Sequence, residues 1–422
     1  GGGGNNQNTL ENRQKDTALA YTRDIYLWYQ HIPSNFNARN YSNLNELMKG
    51  IRQFSKEPGY NTPVDEWSFA IKQEEWDDVS AGITEDFGME IFFRQEGDLR
   101  VRKVEAASPA GIAGVKRGWR ITKINNSSNI TTSNADFIVN AVYLSKNVAI
   151  TFQKPDGSTV DLNITAGTYQ NDVIAAKTII DLGSKQVGYL AYHSFLGDSA
   201  RTVDGFAAAF SEFATAGIDE MVLDLRYNGG GYVWMQALLA NYLAPTSANA
   251  QVMMTQQFND RYSQYNSSIN FSKKGTLNLS RLFVIISDQS ASSSELLINN
   301  LKAVMDVQLV GPENTYGKPV GYFEIPVGDY YIFPVSSRTT NKNGLGNYFG
   351  GFAPNSVVAD GLDKDFGDPA EACFASALKY IGTGSYRMPA IEDQPVLTPQ
   401  VIKANEGLPK RAFRGMIMER KF

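Results

Sequence analysis

The stretch LFVIISDQSASSSELLINNLKAVMDVQLVGPENTYGK, residues 282–318, decides how the rest of the chain is read. Residues 282–286 are apolar, rich in β-branched side chains and stopped by Ser287, Asp288 and Gln289, the pattern of a short buried strand. Beyond Glu295, the side chains of Leu296, Leu297, Leu301 and Val304 recur on one helical face, so a helix starts where SASSSE ends. Residues 290–294 therefore lie at a strand-to-helix junction. The first N–H groups of a helix lack internal partners and carry the positive end of its dipole, so a nucleophile placed there attacks beside an oxyanion stabiliser. A serine ahead of a helix is more often only a cap, and Ser-x-x-Glu is the capping-box pattern. Lys318 is what the capping reading leaves unexplained.

The usual base for a serine is histidine, and the chain has two, His31 and His193. His31 ends the aromatic segment IYLWYQHIP; His193 lies in the apolar run VGYLAYHSF, where a hydrogen-bonded structural histidine is expected. Lysine is the alternative. Lys318 follows Gly317 in the loop NTYGKP between apolar runs, which lets its side chain turn inward. An ordinary lysine has a pKa of about 10.4, so service as a base near neutrality needs burial to lower it by roughly 3 units, at about 4 kcal/mol. Tyr316, Val320, Tyr322 and Phe323 provide an apolar surround of the right kind.

SASSSE followed by GPENTYGK resembles the C-terminal processing peptidases, or tail-specific proteases, whose SASASE and GKG-type loop carry a Ser-Lys dyad. The resemblance implies Ser292, three before Glu295, as nucleophile and Lys318 as general base. Two departures accompany it: residues 319–322 replace the Gly-x-x-Gln that often follows the lysine, and Ala303 stands where an acidic residue is frequent.

At 422 residues the chain is long enough for two or three domains, and 42% hydrophobic content supports proper cores. A net charge of −5 gives no basic field for nucleic acid, and no apolar run reaches membrane-spanning length. The single cysteine, Cys373, excludes a disulfide framework and reads as a buried thiol. GGGGNNQN, residues 1–8, reads by composition as a flexible tether. The tether, with the envelope location usual in the family the chain resembles, implies a bacterial, periplasmic protein with a possible lipid anchor upstream of residue 1.

Residues 9–80 read as a helical, aromatic-rich N-terminal domain, with Leu44, Leu47, Met48, Ile51 and Phe54 on one face and Asn43 capping. Over 81–167 the pattern turns to short strands, MEIFF, LRVRKV, WRITKI and VAITFQ. SPAGIAGVKRGWRITKINN within it resembles a PDZ domain, which implies that Phe87, Gly88 and Met89 form a loop offering backbone N–H groups to a peptide's terminal carboxylate. Across 168–385 strands and helices alternate, which predicts a mostly parallel sheet with its site at the carboxyl ends of the strands. There LRYNGGG precedes a helix, as SASSSE does. It is similar to the family's LRNNPGG, implying an oxyanion hole of the Gly230 and Ser293 amides, with Gly229, Gly231 and Tyr322 in support. Nucleotide binding is disfavoured, since no Gly-Lys-Ser/Thr or G-x-G-x-x-G accompanies the glycines. DGLDKDFGD lacks calcium-loop spacing, so no metal or cofactor is expected. The tail, 386–422, reads as solvated and flexible, with docking of Phe422 on the PDZ domain as the lesser alternative.

The expectation is a multidomain α+β protein: helical N-terminal domain, PDZ-like β domain, and α/β Clp/crotonase-like peptidase core. Its function would be a serine endopeptidase acting on unfolded or C-terminally exposed polypeptides, with oligomers allowed. A catalytically silent peptide-binding scaffold is the alternative, and acyl-CoA chemistry on the same superfold is a weaker one.

Overall fold

The computed structural model describes residues 3–386, 397–409 and 413–419, with side chains from residue 9 onward. Its centre is a six-stranded sheet in the order Ser356–Val357, Asp306–Gly311, Arg281–Ile285, Glu220–Asp224, Gln186–Tyr192, Ile174–Asp181. All neighbours are parallel except the last, an antiparallel edge. Side chains alternate across it as the pleat requires. Leu190, Tyr192 and Leu223 face the helices Ser199–Ala216, Val233–Leu243 and Ser293–Lys302, whereas Val187, Tyr189 and Val222 face Ala372–Thr383. Cys373 is buried against that second face.

The β unit is a five-stranded antiparallel meander, Met89–Gln95, Asp98–Val104, Arg120–Ile124, Asn147–Gln153 and Thr159–Thr165, with Met89–Gln95 at one edge. Ser108 caps the short helix Pro109–Ile112 by accepting from Gly111 N at 3.1 Å. The chain enters and leaves this unit through a paired neck, Ile83–Asp86 against Gly167–Gln170.

Three expectations about boundaries are corrected. The first helix runs from Gly3 to Ile25, so the tether expected over 1–8 is helical from Gly3; a helix nucleated by its packed later turns extends outward one hydrogen bond per residue, which offsets the glycine penalty. The helical region 9–80 has no core of its own. Its strand Phe69–Lys72 pairs with Tyr330–Phe333, and Leu47, Met48 and Ile51 share one core with Val320, Tyr322 and Ile332. Helical periodicity reveals a buried face but not which distant hairpin covers it. The tail is also packed where it is described: Pro399–Gly407 is a helix and Gly415–Ile417 a strand, burying Val401, Leu408, Met416, Ile417 and Met418. Phe422 lies outside the described residues.

Candidate active site

The loops LRYNGGG and SASSSE leave adjacent parallel strands, with Asp224 in register with Ile285, so their ends meet at one sheet edge. The serines sew them together. Ser290 Oγ donates to Leu225 O (2.8 Å), Ser293 Oγ to Gly231 O (2.7 Å), Ser294 Oγ to Asn228 O (2.9 Å), and Ser287 Oγ to Arg226 O. Ser292 differs from all of these. Its Oγ is fully buried and, among the described residues, has no hydrogen-bond partner. Its backbone is also strained, φ 59° and ψ −107°, a conformation that costs a non-glycine residue about 1–3 kcal/mol.

Glu295 supplies what holds the site together. Its buried carboxylate accepts from Ser292 N (2.8 Å), Thr315 Oγ1 (2.6 Å), Gly317 N (2.6 Å) and Lys318 N (2.9 Å), binding the lysine loop to the nucleophile turn. Burial pushes its pKa up, and these four donors pull it back. The sequence pattern uses Glu295 as a landmark and as a helix cap; its hold on the lysine loop has no local signal.

Lys318 is fully buried. Its Nζ lies 3.8 Å from the Tyr322 ring centre and 5.6 Å from that of Trp67, and donates to Val320 O at 3.4 Å. Burial pushes its pKa down to about 7, against the upward pull of Asp65 and Glu295, with Arg52 adding to the lowering. Trp67 and Asp65 come from the N-terminal region, and their part here could not be read from residues around Lys318.

Residues 186–357 match the family described as Peptidase family S41. The chain is 26% identical over 293 residues to carboxy-terminal processing protease CtpB of Bacillus subtilis, covering 68% of this chain and 56% of that protein. It is 23% identical over 396 residues to the carboxyl-terminal-processing protease of Synechocystis, covering 87% and 89% respectively. Over residues 186–357 the chain is thus similar to peptidase family S41. A solved S41 protease from Bacteroides fragilis shares the fold, with a TM-score of 0.72 at 23% identity over 87% of this chain and 97% of its own. The chain spans little more than half the length of CtpB and of the Tetradesmus obliquus C-terminal processing peptidase, 56% and 52%.

Around this site the glycine loop is held from below. Arg226 is buried between Asp224 (2.7 Å), Glu371 (2.8 Å) and Asp360 (3.2 Å). Burial opposes charge on Glu371 and Asp360, yet the neighbouring arginines hold both below the usual carboxylate range. Asn228 braces the loop from within, donating to Tyr192 O (3.0 Å) and accepting from Gly230 N (2.9 Å). The Gly230 amide, expected to face a reacting carbonyl, is thus satisfied by Asn228 in this state. A Cβ on Gly230 would overlap the Gly415 carbonyl and lie 2.9 Å from Ser293 N, so the two expected donors are neighbours and leave room only for glycine. Gly229 and Gly231 are equally confined, by Phe413 and Phe195.

The β unit reaches the same place. Gly88, Met89 and Gly229 line a single cavity of about 370 Å³ beside His193. Phe87 is buried, its carbonyl accepting from Ala110 N at 2.9 Å. Gly88 N donates to Asp86 Oδ1 at 2.5 Å, so this loop amide is met by an acid of its own chain, which works against an incoming carboxylate. His193 is buried, and its Nε2 has no hydrogen-bond partner among the described residues, unlike the bonded histidine expected; burial drives its pKa down.

Proposed function

We propose that this chain is a serine endopeptidase of the C-terminal processing type, with Ser292 as nucleophile and Lys318 as general base. The observation that carries this reading is a buried amine, held near neutral pKa, on a loop tied through one carboxylate to the turn bearing the one unpartnered serine hydroxyl of the SASSSE loop. For attack, the Lys318 side chain rotates from Val320 O to Ser292 Oγ and takes its proton as Oγ bonds to the peptide carbonyl carbon. The Ser293 and Gly230 amides receive the oxyanion, Gly230 by sharing or exchanging its bond to Asn228. The ammonium then protonates the leaving amine, and water, deprotonated by the same lysine, hydrolyses the acyl ester.

The substrates are unfolded or C-terminally exposed polypeptides, selected through the PDZ-like β unit. A bacterial envelope setting, with a lipid anchor, belongs to this reading; fractionation of the expressed precursor tests it. The deciding experiment incubates the protein and its Ser292→Ala variant with a reduced, alkylated protein and reads intact masses. Fragments from the parent alone support the peptidase. Absence of cleavage by either, from neutral to alkaline pH, favours the second reading, a peptide-binding scaffold, which gains support from the engaged Gly230 amide. Amidating the substrate's terminus tests the β unit: unchanged affinity counts against carboxylate capture.

A further inference from the structure

The strand Gly415–Ile417 lies in parallel register on the glycine loop, Gly230 opposite Gly415, Gly231 opposite Met416 and Tyr232 opposite Ile417. Gly415 N donates to Gly229 O at 3.0 Å. On its other side the segment bonds to Tyr322: Tyr322 N to Met416 O and Met418 N to Tyr322 O, each 3.0 Å, and the Tyr322 hydroxyl to Arg414 O at 3.1 Å. Five residues, Arg414 to Met418, are thus gripped by main chain between the glycine loop and Tyr322, four beyond Lys318. Main-chain pairing of this kind reads shape and direction, leaving side-chain pockets to select.

The side-chain requirements are visible too. A Cβ on Gly415 would overlap the Phe413 ring and come within 2.6 Å of the Tyr322 hydroxyl. Phe413 packs at 5.2 Å from Trp76 and 6.2 Å from Phe69, and Met416 and Met418 are buried, Met418 Sδ taking a contact from Ser337 Oγ at 2.6 Å. Upstream, the same segment closes the free edge of Met89–Gln95. Asn405 uses its amide as a strand would use a peptide group, accepting from Phe93 N (2.8 Å) and donating to Phe93 O (2.9 Å).

We propose that the slot between Gly230–Tyr232 and Tyr322 is the binding site for an extended polypeptide, running parallel to the glycine loop with glycine opposite Gly230 and an apolar residue next. Residues 413–418 fill it and residues 398–409 cover the β-unit edge, as a tethered occupant. This deepens the peptidase reading and rests on it for the identity of the slot as a substrate groove. A tethered ligand acts at an effective concentration of order millimolar, so a free polypeptide competes poorly until the segment is loosened.

The test uses the full chain in the Ser292→Ala background, with binding of a fluorescein-labelled, reduced and alkylated protein followed by anisotropy. Gly415→Val and, separately, Asn405→Ala loosen the segment at two distant points. Each is expected to tighten binding at least about tenfold, and the synthetic peptide RAFRGMIMER is expected to displace the label. Hydrogen exchange on adding unlabelled polypeptide should deprotect 415–418 while 230–232 stays protected. Unchanged affinity in both variants, with unaltered melting temperature and no displacement by the peptide, overturns the proposal. Binding gains that appear only in a dimeric fraction overturn it in favour of exchange between two copies. Cleavage by the Ser292 parent is scored separately: tightened binding without cleavage sinks the peptidase and keeps the groove, and the reverse sinks only the groove.

Discussion

The backbone amides of Ser292 and Lys318 donate to the same carboxylate oxygen, Oε2 of Glu295, at 2.8 and 2.9 Å. Two loops that lie apart in sequence are thereby fixed to one atom, and the geometry of any reaction between them depends on that atom being an acceptor. Replacing it by Glu295→Gln offers N–H to at least one backbone donor. A buried donor left unmet costs about 1–3 kcal/mol. The variant should melt several degrees lower, and kcat for polypeptide cleavage should fall far more than KM changes, with the rate profile shifted along the pH axis. A variant that loses stability but keeps the parental pH midpoint would show Glu295 to be a scaffold only.

The lysine carries its own pH signature. With its folded pKa near 7, the cleavage rate should rise with slope one below that value and level above it, and Lys318→Ala should abolish turnover. Burial sets the midpoint, with Asp65 and Glu295 raising it and Arg52 lowering it further.

Stability follows the same titration with a defined sign. The unfolded lysine, at about 10.4, holds its proton more tightly than the folded one, so the unfolded state binds more protons between about pH 7 and 10 and stability rises with pH across that window. Below pH 7 the full penalty of order 4 kcal/mol is present. Lys318→Met should therefore stabilise the fold, and by more at pH 6 than at pH 9. Equal gains at both pH values would show that the amine is not depressed.

Arg226 is predicted to be the costliest single charge to lose. It is buried with Asp224 and Glu371, and removing one partner of such a group leaves uncompensated charge worth about 3–5 kcal/mol. Arg226→Met should shift the denaturant midpoint accordingly; a change under 1 kcal/mol would mean that the carboxylates simply take up protons.

Gly230→Ala tests the loop. With φ at 106° and the Gly415 carbonyl and Ser293 amide in the way, an added methyl has no space. The alanine keeps its N–H but must push that amide away from Ser293 N, so a fall in kcat approaching the 10²–10³ typical of a lost oxyanion donor is expected together with a lowered melting temperature; unchanged kcat would show that this amide does not meet the oxyanion.

What was legible in the sequence was the local structure. The strand before Ser287, the helix after Ser292 and the parallel alternation came from periodicity, which depends only on neighbours three and four apart, or two apart in a strand. The free hydroxyl at Ser292 was reached by motif, and the structure adds why its sister serines are excluded: each is spent on a backbone carbonyl. What was not legible was long-range. Trp67 beside Lys318, Asn228 on the Gly230 amide and Gly415–Ile417 beneath the glycine loop are contacts whose partners carry no matching pattern. The late strand was read as solvated because main-chain pairing leaves no periodic trace in three residues.

The joining of Phe69–Lys72 to Tyr330–Phe333 has a consequence for how the molecule tolerates being cut. Stripping away the first eighty residues would leave the helices on the central sheet, yet would bare the other half of the shared core, Val320, Tyr322 and Ile332, and uncover one side of the amine by removing Trp67. Water would then hydrate the ammonium and return it to an ordinary, protonated lysine at neutral pH. A shortened chain of that kind would lose both part of its core and the depressed amine at once.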